Sequence, residues 1–146
     1  MAITRYADVN WSGGLTDGAG TINYVSSGAF SRLAVTWGSR TEAHNGRTSP
    51  EELIAAAHAS CFSMAFSARL AKNGTPPTSL DVRATITFDN SGGGWKIQRS
   101  DITVRGTVPG IDQAKFAELA EDAKDNCPVS VALKGNVELA VDAQLA

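Results

Sequence analysis

Apolar residues recur every second position in some stretches of this chain and every third or fourth in others, and the switches between the two rhythms mark its elements. Residues 2–10 mix β-formers with polar residues. They run into a stretch from Asn10 to Gly20 that is dense in turn residues, which predicts a strand entering a tight return. Strands over 21–26 and 30–37 follow, parted by Ser27 and Gly28, so the N-terminal part reads as an antiparallel sheet of about three strands. A polar loop over 38–48 leads out of it.

From Ser49 the rhythm becomes helical. Ser49 is an N-cap candidate, Pro50 falls at the first helical position and Glu52 lies three residues after Ser49, as a capping box requires. Leu53, Ala57, Cys61, Met64 and Ala68 then recur at helical spacing and predict one buried face, widened by Ile54, Ala65 and Phe66. The many small residues would also let a second helix approach closely. Lys72, Asn73 and Gly74 form a stop, and Pro76-Pro77 prevents continuation.

Beyond the helix, Leu80, Val82, Ala84, Ile86 and Phe88 alternate with polar residues, as in a strand with one face buried. The glycine-rich run over 90–94 reads as a hairpin loop. On the returning strand, Trp95 and Ile97 occupy one frame and Ile102, Val104 and Val108 the other, which predicts a bulge near Ser100. A helix over 112–126 follows, with Phe116, Leu119 and Ala123 on one face. A short helix opened by Pro128 comes next, and a last strand over 136–145 carries Val137, Leu139 and Val141 on one face. The fold class is α+β: sheet, long central helix, hairpin, second helix with a short helix, and a final strand.

Length changes this picture little. The chain has 146 residues, 42% of them hydrophobic, enough for one domain over 1–146 with its own core. A formal net charge of -2, with both signs scattered, offers no basic stripe for nucleic acid and no polybasic surface for a membrane. The N-terminus lacks the charged head and long apolar run of a signal peptide, so a cytoplasmic location is expected. The apolar stretch from Leu53 to Leu70 carries His58, serines and Arg69, which argue for a core helix over a membrane span.

The two cysteines, Cys61 and Cys127, are the residues that add chemistry. In a reducing compartment, and without a C-x-x-C pair, they indicate neither a disulfide scaffold nor a zinc ribbon. Cys61 reads alone as a small hydrophobe inside a helix. Cys127, before Pro128, is positioned as an N-cap whose sulfur meets unpaired backbone N–H groups, so local sequence makes it the more acidic thiol. Cys61 would need a cation brought by folding. Arg40 and Arg47 are the first candidates, with Arg5, Arg32 and Arg69 behind them. His58, three residues before Cys61, is either a partner in a Cys–His nucleophile pair or a satisfied core or interface histidine. His44 sits in a polar loop, and His58, Cys61 and Cys127 have no recognisable metal-ligand spacing.

The stretch from Ser49 to Ala65, reading SPEELIAAAHASCFSMA, followed by Asn126-Cys127-Pro128-Val129-Ser130, resembles the osmotically inducible protein C (OsmC) family of hydroperoxide reductases. The likeness extends over the whole chain and includes residues 76–79 and 108–112. His58 and the Phe-Ser-Met run after Cys61 bring it nearer the osmotically inducible branch than the organic-hydroperoxide-resistance branch. The resemblance implies an intertwined homodimer and thiol peroxidase activity without a cofactor. Cys61 would attack an organic hydroperoxide, hydrogen peroxide more weakly, and become a sulfenic acid; Cys127 would condense with it to a disulfide. An external dithiol, lipoylated or thioredoxin-type, would reduce that disulfide. The family's glutamate matches Glu51. Its arginine is assigned to Arg40, with Arg47 as competitor because the loop over 46–50 departs from the family's G-T-N-P-E pattern.

Spacing adds a constraint. Glu51 and Cys61 lie ten residues apart on one predicted helix, roughly 15 Å along its axis. Glu51 and its arginine are therefore expected to serve the Cys61 of a second subunit. An apolar pocket from Phe62, Met64, Phe66 and either Trp37 or Trp95 would favour alkyl hydroperoxides. Two other readings stay open: a cysteine hydrolase built on Cys61 and His58, and a non-catalytic dimeric stress or ligand-binding protein with structural cysteines.

Overall fold

The computed structural model describes residues 1–146 and divides into two compact units, Met1–Leu53 and Ile54–Ala146. In the first, β1 (Ala7–Ser12), β2 (Ala19–Val25) and β3 (Ser31–Val35) form an antiparallel sheet in that order. The return between β1 and β2 depends on Gly13, whose φ is +89° and where a Cβ would come 2.9 Å from the Gly18 Cα. Every residue of β1 is exposed.

The loop expected over 38–48 contains a short helix, α1 (Trp37–Thr41). Its signal is a capping box: the Ser39 N–H donates to Thr36 Oγ1 and the Thr36 N–H donates to Ser39 Oγ, both at 3.0 Å. The buried Ser39 hydroxyl also bonds to the Thr48 carbonyl at 2.9 Å, which ties α1 to the entry of the next helix.

That helix, α2 (Pro50–Lys72), begins as its cap predicts. Ser49 Oγ accepts from the Glu52 N–H at 3.2 Å. The return half of the box differs, because the Glu52 carboxylate accepts from the Thr48 hydroxyl at 2.9 Å.

In the second unit, β4 (Ser79–Asp89) and β5 (Lys96–Thr107) form the hairpin, and β6 (Glu138–Leu145) lies parallel to β5 at the sheet's other edge. The β5–β6 crossover carries α3 (Gln113–Asn126) and α4 (Pro128–Leu133). Asp112 caps α3, its side chain accepting from the Lys115 N–H at 2.8 Å. The register slips between Thr87, which faces Arg99, and Phe88, which faces Ile97, so the extra residue is Gln98, two short of Ser100.

The buried stripe of α2 in this unit is His58, Phe62, Phe66 and Leu70, each four residues after the last. The predicted face is corrected here: Ala57, Met64 and Ala68 are exposed, Met64 at 72%, and Cys61 is partly buried. Alanines and a methionine fit either a core or a helix partner. The two phenylalanines carry more apolar area, and they take the core. Phe62, Phe66 and Leu70 pack with Ile102 and Val104 of β5 and Phe116, Ala120 and Ala123 of α3. The Phe66 and Phe116 rings are 4.9 Å apart. Gly106 belongs to the same seam, since a Cβ there would fall 2.6 Å from Phe116 Cζ.

By length and composition α2 could cross a membrane. Its sealed stripe marks the Ile54–Lys72 part as the core helix of its unit.

Candidate active site

The sulfur centre is built from two elements of the second unit. Cys61 lies in mid-α2, beside Phe62 of the core stripe; Cys127 is at once the C-cap of α3 and the N-cap residue of α4. The α3 end fixes it, because the Cys127 N–H donates to the Ala123 carbonyl at 2.9 Å and Pro128 then opens α4. Both cysteines are free thiols, and their sulfurs are 2.9 Å apart. A bond of about 2.05 Å would need less than 1 Å of further approach.

Burial pushes the Cys61 thiol up, and its hydrogen bond with Cys127 pushes it further, against a smaller effect of the Val129 N–H. Burial opposes ionisation of Cys127 as well. The Cys61 thiol, the Ser130 N–H and hydroxyl, and the Val129 N–H outweigh it, so the Cys127 thiol lies below the ordinary cysteine range. Local sequence made the same choice of the more acidic sulfur.

His58 is wholly buried and does not pair with Cys61. Its Nδ1 lies 2.7 Å from Ser100 Oγ and its Nε2 2.8 Å from Ser130 Oγ. With both nitrogens occupied, the Cys–His pair that a hydrolase would need is not formed. Burial holds the imidazole below its ordinary pKa, hence neutral. Neither serine was singled out by sequence reasoning. Ser130 is three residues after Cys127, and Ser100 is a lone hydroxyl in the otherwise apolar inward frame of β5, which is the signal that could have found it.

In the first unit, Arg40 at the end of α1 meets Glu51 in the first turn of α2. Arg40 Nη2–H donates to Glu51 Oε1 at 2.6 Å, and Nε–H bonds to both carboxylate oxygens at 3.2 Å. Glu51 is buried and Arg40 is partly exposed, its guanidinium 5.6 Å from the centre of the Trp37 ring. Arg47 is exposed in the loop. Of the two arginines in contention, Arg40 is the one that Glu51 holds.

Beside this pair, Trp11, Leu15, Val35, Thr36, Trp37 and Pro50 line a cleft of about 400 Å³ that Arg40 also borders. The predicted pocket is corrected accordingly: Phe62 and Phe66 are sealed in the core, Met64 projects outward, and Trp95 stacks on Phe88 at 4.9 Å. Of the predicted lining, Trp37 borders this cleft. No cluster of three or more His, Cys, Asp or Glu side chains is arranged to hold a metal ion.

Two thiols in contact on separate elements of an α+β fold define a two-cysteine thiol protein. A family model described as OsmC-like protein matches residues 43–142. Peroxiredoxin OsmC of Escherichia coli (strain K12) is 39% identical over 139 residues, which cover 95% of this chain and 96% of that protein. Organic hydroperoxide resistance protein OhrB of Bacillus subtilis (strain 168) is 32% identical over 97 residues, 65% of this chain and 68% of that protein. The crystal structure of the Bacillus subtilis OhrB superposes with a TM-score of 0.73 at 26% identity, covering 95% of this chain and 98% of that one. The chain belongs to the OsmC family.

Proposed function

We propose that this peroxide-reducing stress protein of the OsmC family works by a two-thiol cycle at Cys61 and Cys127. The observation that carries the reading is the 2.9 Å contact between two reduced sulfurs. In the first step the Cys61 thiolate forms a bond to the outer oxygen of an organic hydroperoxide, and the O–O bond breaks. The leaving alkoxide takes a proton to become an alcohol, and Cys61 is left as a sulfenic acid. The Cys127 sulfur then bonds to the Cys61 sulfur as the S–O bond breaks, and hydroxide leaves to become water with one proton. An external dithiol reduces the resulting disulfide and restores both thiols.

The first step needs Cys61 ionised, against its raised pKa. A guanidinium close to the sulfur would supply the missing stabilisation, both for the thiolate and for the charge that develops on the leaving oxygen. Arg40, held by Glu51, takes that role from a second subunit. The ten-residue spacing of Glu51 and Cys61 on α2 supports the trans assignment. So do the exposed Ala57, Met64 and Ala68 on that helix and the fully exposed β1, since large uncovered apolar surface on a folded chain marks an interface. The intertwined homodimer would carry two equivalent sites.

The tryptophan-lined cleft beside Arg40 takes the organic tail, which gives alkyl hydroperoxides burial energy that hydrogen peroxide lacks. Reduced protein treated with cumene hydroperoxide is expected to lose both thiols and regain them with dihydrolipoamide or another dithiol. Thiols that persist under excess peroxide would sink the proposal.

A further inference from the structure

Trp37 belongs to two features of the first unit at once. It opens α1, and one turn later Arg40 places its guanidinium over the Trp37 ring, 5.6 Å from the ring centre and within reach of a cation–π contact. The capping box of Thr36 and Ser39 fixes the turn that carries both residues. The guanidinium thus has two holders, the Glu51 carboxylate through hydrogen bonds and the indole through its π face. Trp37 also lines the cleft of about 400 Å³ with Trp11, Leu15, Val35 and Pro50. Thr36 is the one uncharged polar residue of that lining, and its hydroxyl oxygen accepts from the Ser39 N–H, so Arg40 brings the only charge to the cleft. The Arg40 side chain keeps 28% of its surface exposed. An apolar occupant of the cleft therefore has water to displace from the arginine, and a cation–π contact gains strength as water is excluded.

We propose that Trp37 is a positioning and specificity-determining residue: its ring supports the Arg40 guanidinium and is also the wall on which the organic tail of a hydroperoxide seats, so that a seated tail firms the arginine. This rests on the peroxide-reducing cycle in which Arg40 serves the Cys61 of a second subunit. The bonds made and broken are those of the Cys61 oxidation step, and Trp37 exchanges no proton or electron. Its part is to turn tail binding into order at a charged group. Binding energy from a non-reacting part of a substrate raises the rate of the chemical step when it orders a group that acts in the transition state. Hydrogen peroxide has no tail and meets the arginine as Trp37 and Glu51 alone hold it. Two simpler roles make different demands. An indole that is only a wall favours organic peroxides whether or not a guanidinium is present. An indole that only fills space in α1 affects every peroxide alike.

The test measures rate constants for thiol oxidation of the full, reduced chain by rapid mixing, with cumene hydroperoxide and with hydrogen peroxide, and takes their ratio as the selectivity. Trp37→Leu, which keeps apolar bulk but removes the π face, is expected to slow cumene hydroperoxide about thirtyfold and hydrogen peroxide about threefold, lowering the selectivity about tenfold. In the Arg40→Met background the same substitution should lower it by no more than about threefold, a non-additivity that neither a plain wall nor a space-filling residue produces. Trp37→Phe, which keeps an aromatic face, should bring the selectivity back to within about twofold of the unsubstituted protein. A selectivity unmoved by Trp37→Leu, or a loss as large without the guanidinium as with it, would overturn the proposal. If Trp37→Leu does not fold, Trp37→Phe goes through the same cycle, with its twofold loss expected in the presence of Arg40 and absent without it. Failure of the two-thiol cycle is read separately, as thiols that persist in the unsubstituted protein, and failure of the Arg40 role as an Arg40→Met protein that is oxidised as fast as the unsubstituted one.

Discussion

The Arg40–Glu51 pair and the Cys61–Cys127 centre are both polar constellations in a small protein, and they are built on opposite plans. The first joins residues eleven apart in sequence, carries full charges and stays partly open to solvent. The second joins residues 66 apart, a partly buried Cys61 and a buried Cys127, with buried Ser130 and His58 in the same unit, and carries no ion pair. A guanidinium is stable where water still reaches it. Burial around the thiol pair makes Cys61 harder to ionise. Under the proposed two-thiol cycle, each centre holds what the other lacks.

The largest expected effects break one side of this comparison outright. Cys61→Ser should abolish hydroperoxide turnover, measured as peroxide consumption with excess dithiol. Cys127→Ser should leave one oxidation event per subunit and stop recycling. On the charged side, Arg40→Met should slow Cys61 oxidation by about 10²-fold, comparable to removing one preorganised donor from a developing oxyanion. Glu51→Gln, which leaves the arginine but loosens its aim, should cost roughly tenfold. Equal effects of Arg40→Met and Arg47→Met in rapid-mixing kinetics would undo the assignment of Arg40.

A smaller effect separates folding from chemistry. Gly106→Ala forces a methyl against Phe116 and should lower stability by about 1–3 kcal/mol in urea unfolding, with little change in the rate per folded molecule.

The smallest concerns pH. Burial lowers the folded-state pKa of His58, so below the ordinary value of about 6.5 the unfolded chain takes up a proton that the folded one refuses. Stability is then complete above about pH 6.5 and falls as pH drops below it, by at most about 1.4 kcal/mol per pH unit from this group. Thermal unfolding between pH 7 and 5.5 should show this slope, and a folded His58→Gln variant should flatten it.

Much of this was legible in the sequence because it is encoded locally. The cap at Ser49 and the alternation from Leu80 to Phe88 each carry their own signal, while the Asn126–Ser130 run and the choice of Glu51 with Arg40 came from the resemblance to the family, with Arg47 left as a competitor. The core face of α2 was misassigned because its small apolar residues suit a helix partner as well as a core. Only the volume of Phe62, Phe66 and Phe116, meeting across 50 residues of chain, decides between them. The Ser100–His58–Ser130 network was invisible for the same reason: each member looks ordinary where it stands, and tertiary pairing gives it meaning. The capping box that makes α1 was readable at Thr36 and Ser39, and was masked by the polar composition around it.

The most direct test of the central claim is a non-reducing peptide map of the reduced protein after one equivalent of an alkyl hydroperoxide. The account predicts a mass loss of two hydrogens per chain and a linked peptide pair containing Cys61 and Cys127 of the same chain. Unlinked peptides, or linkage between cysteines of different chains, would contradict it.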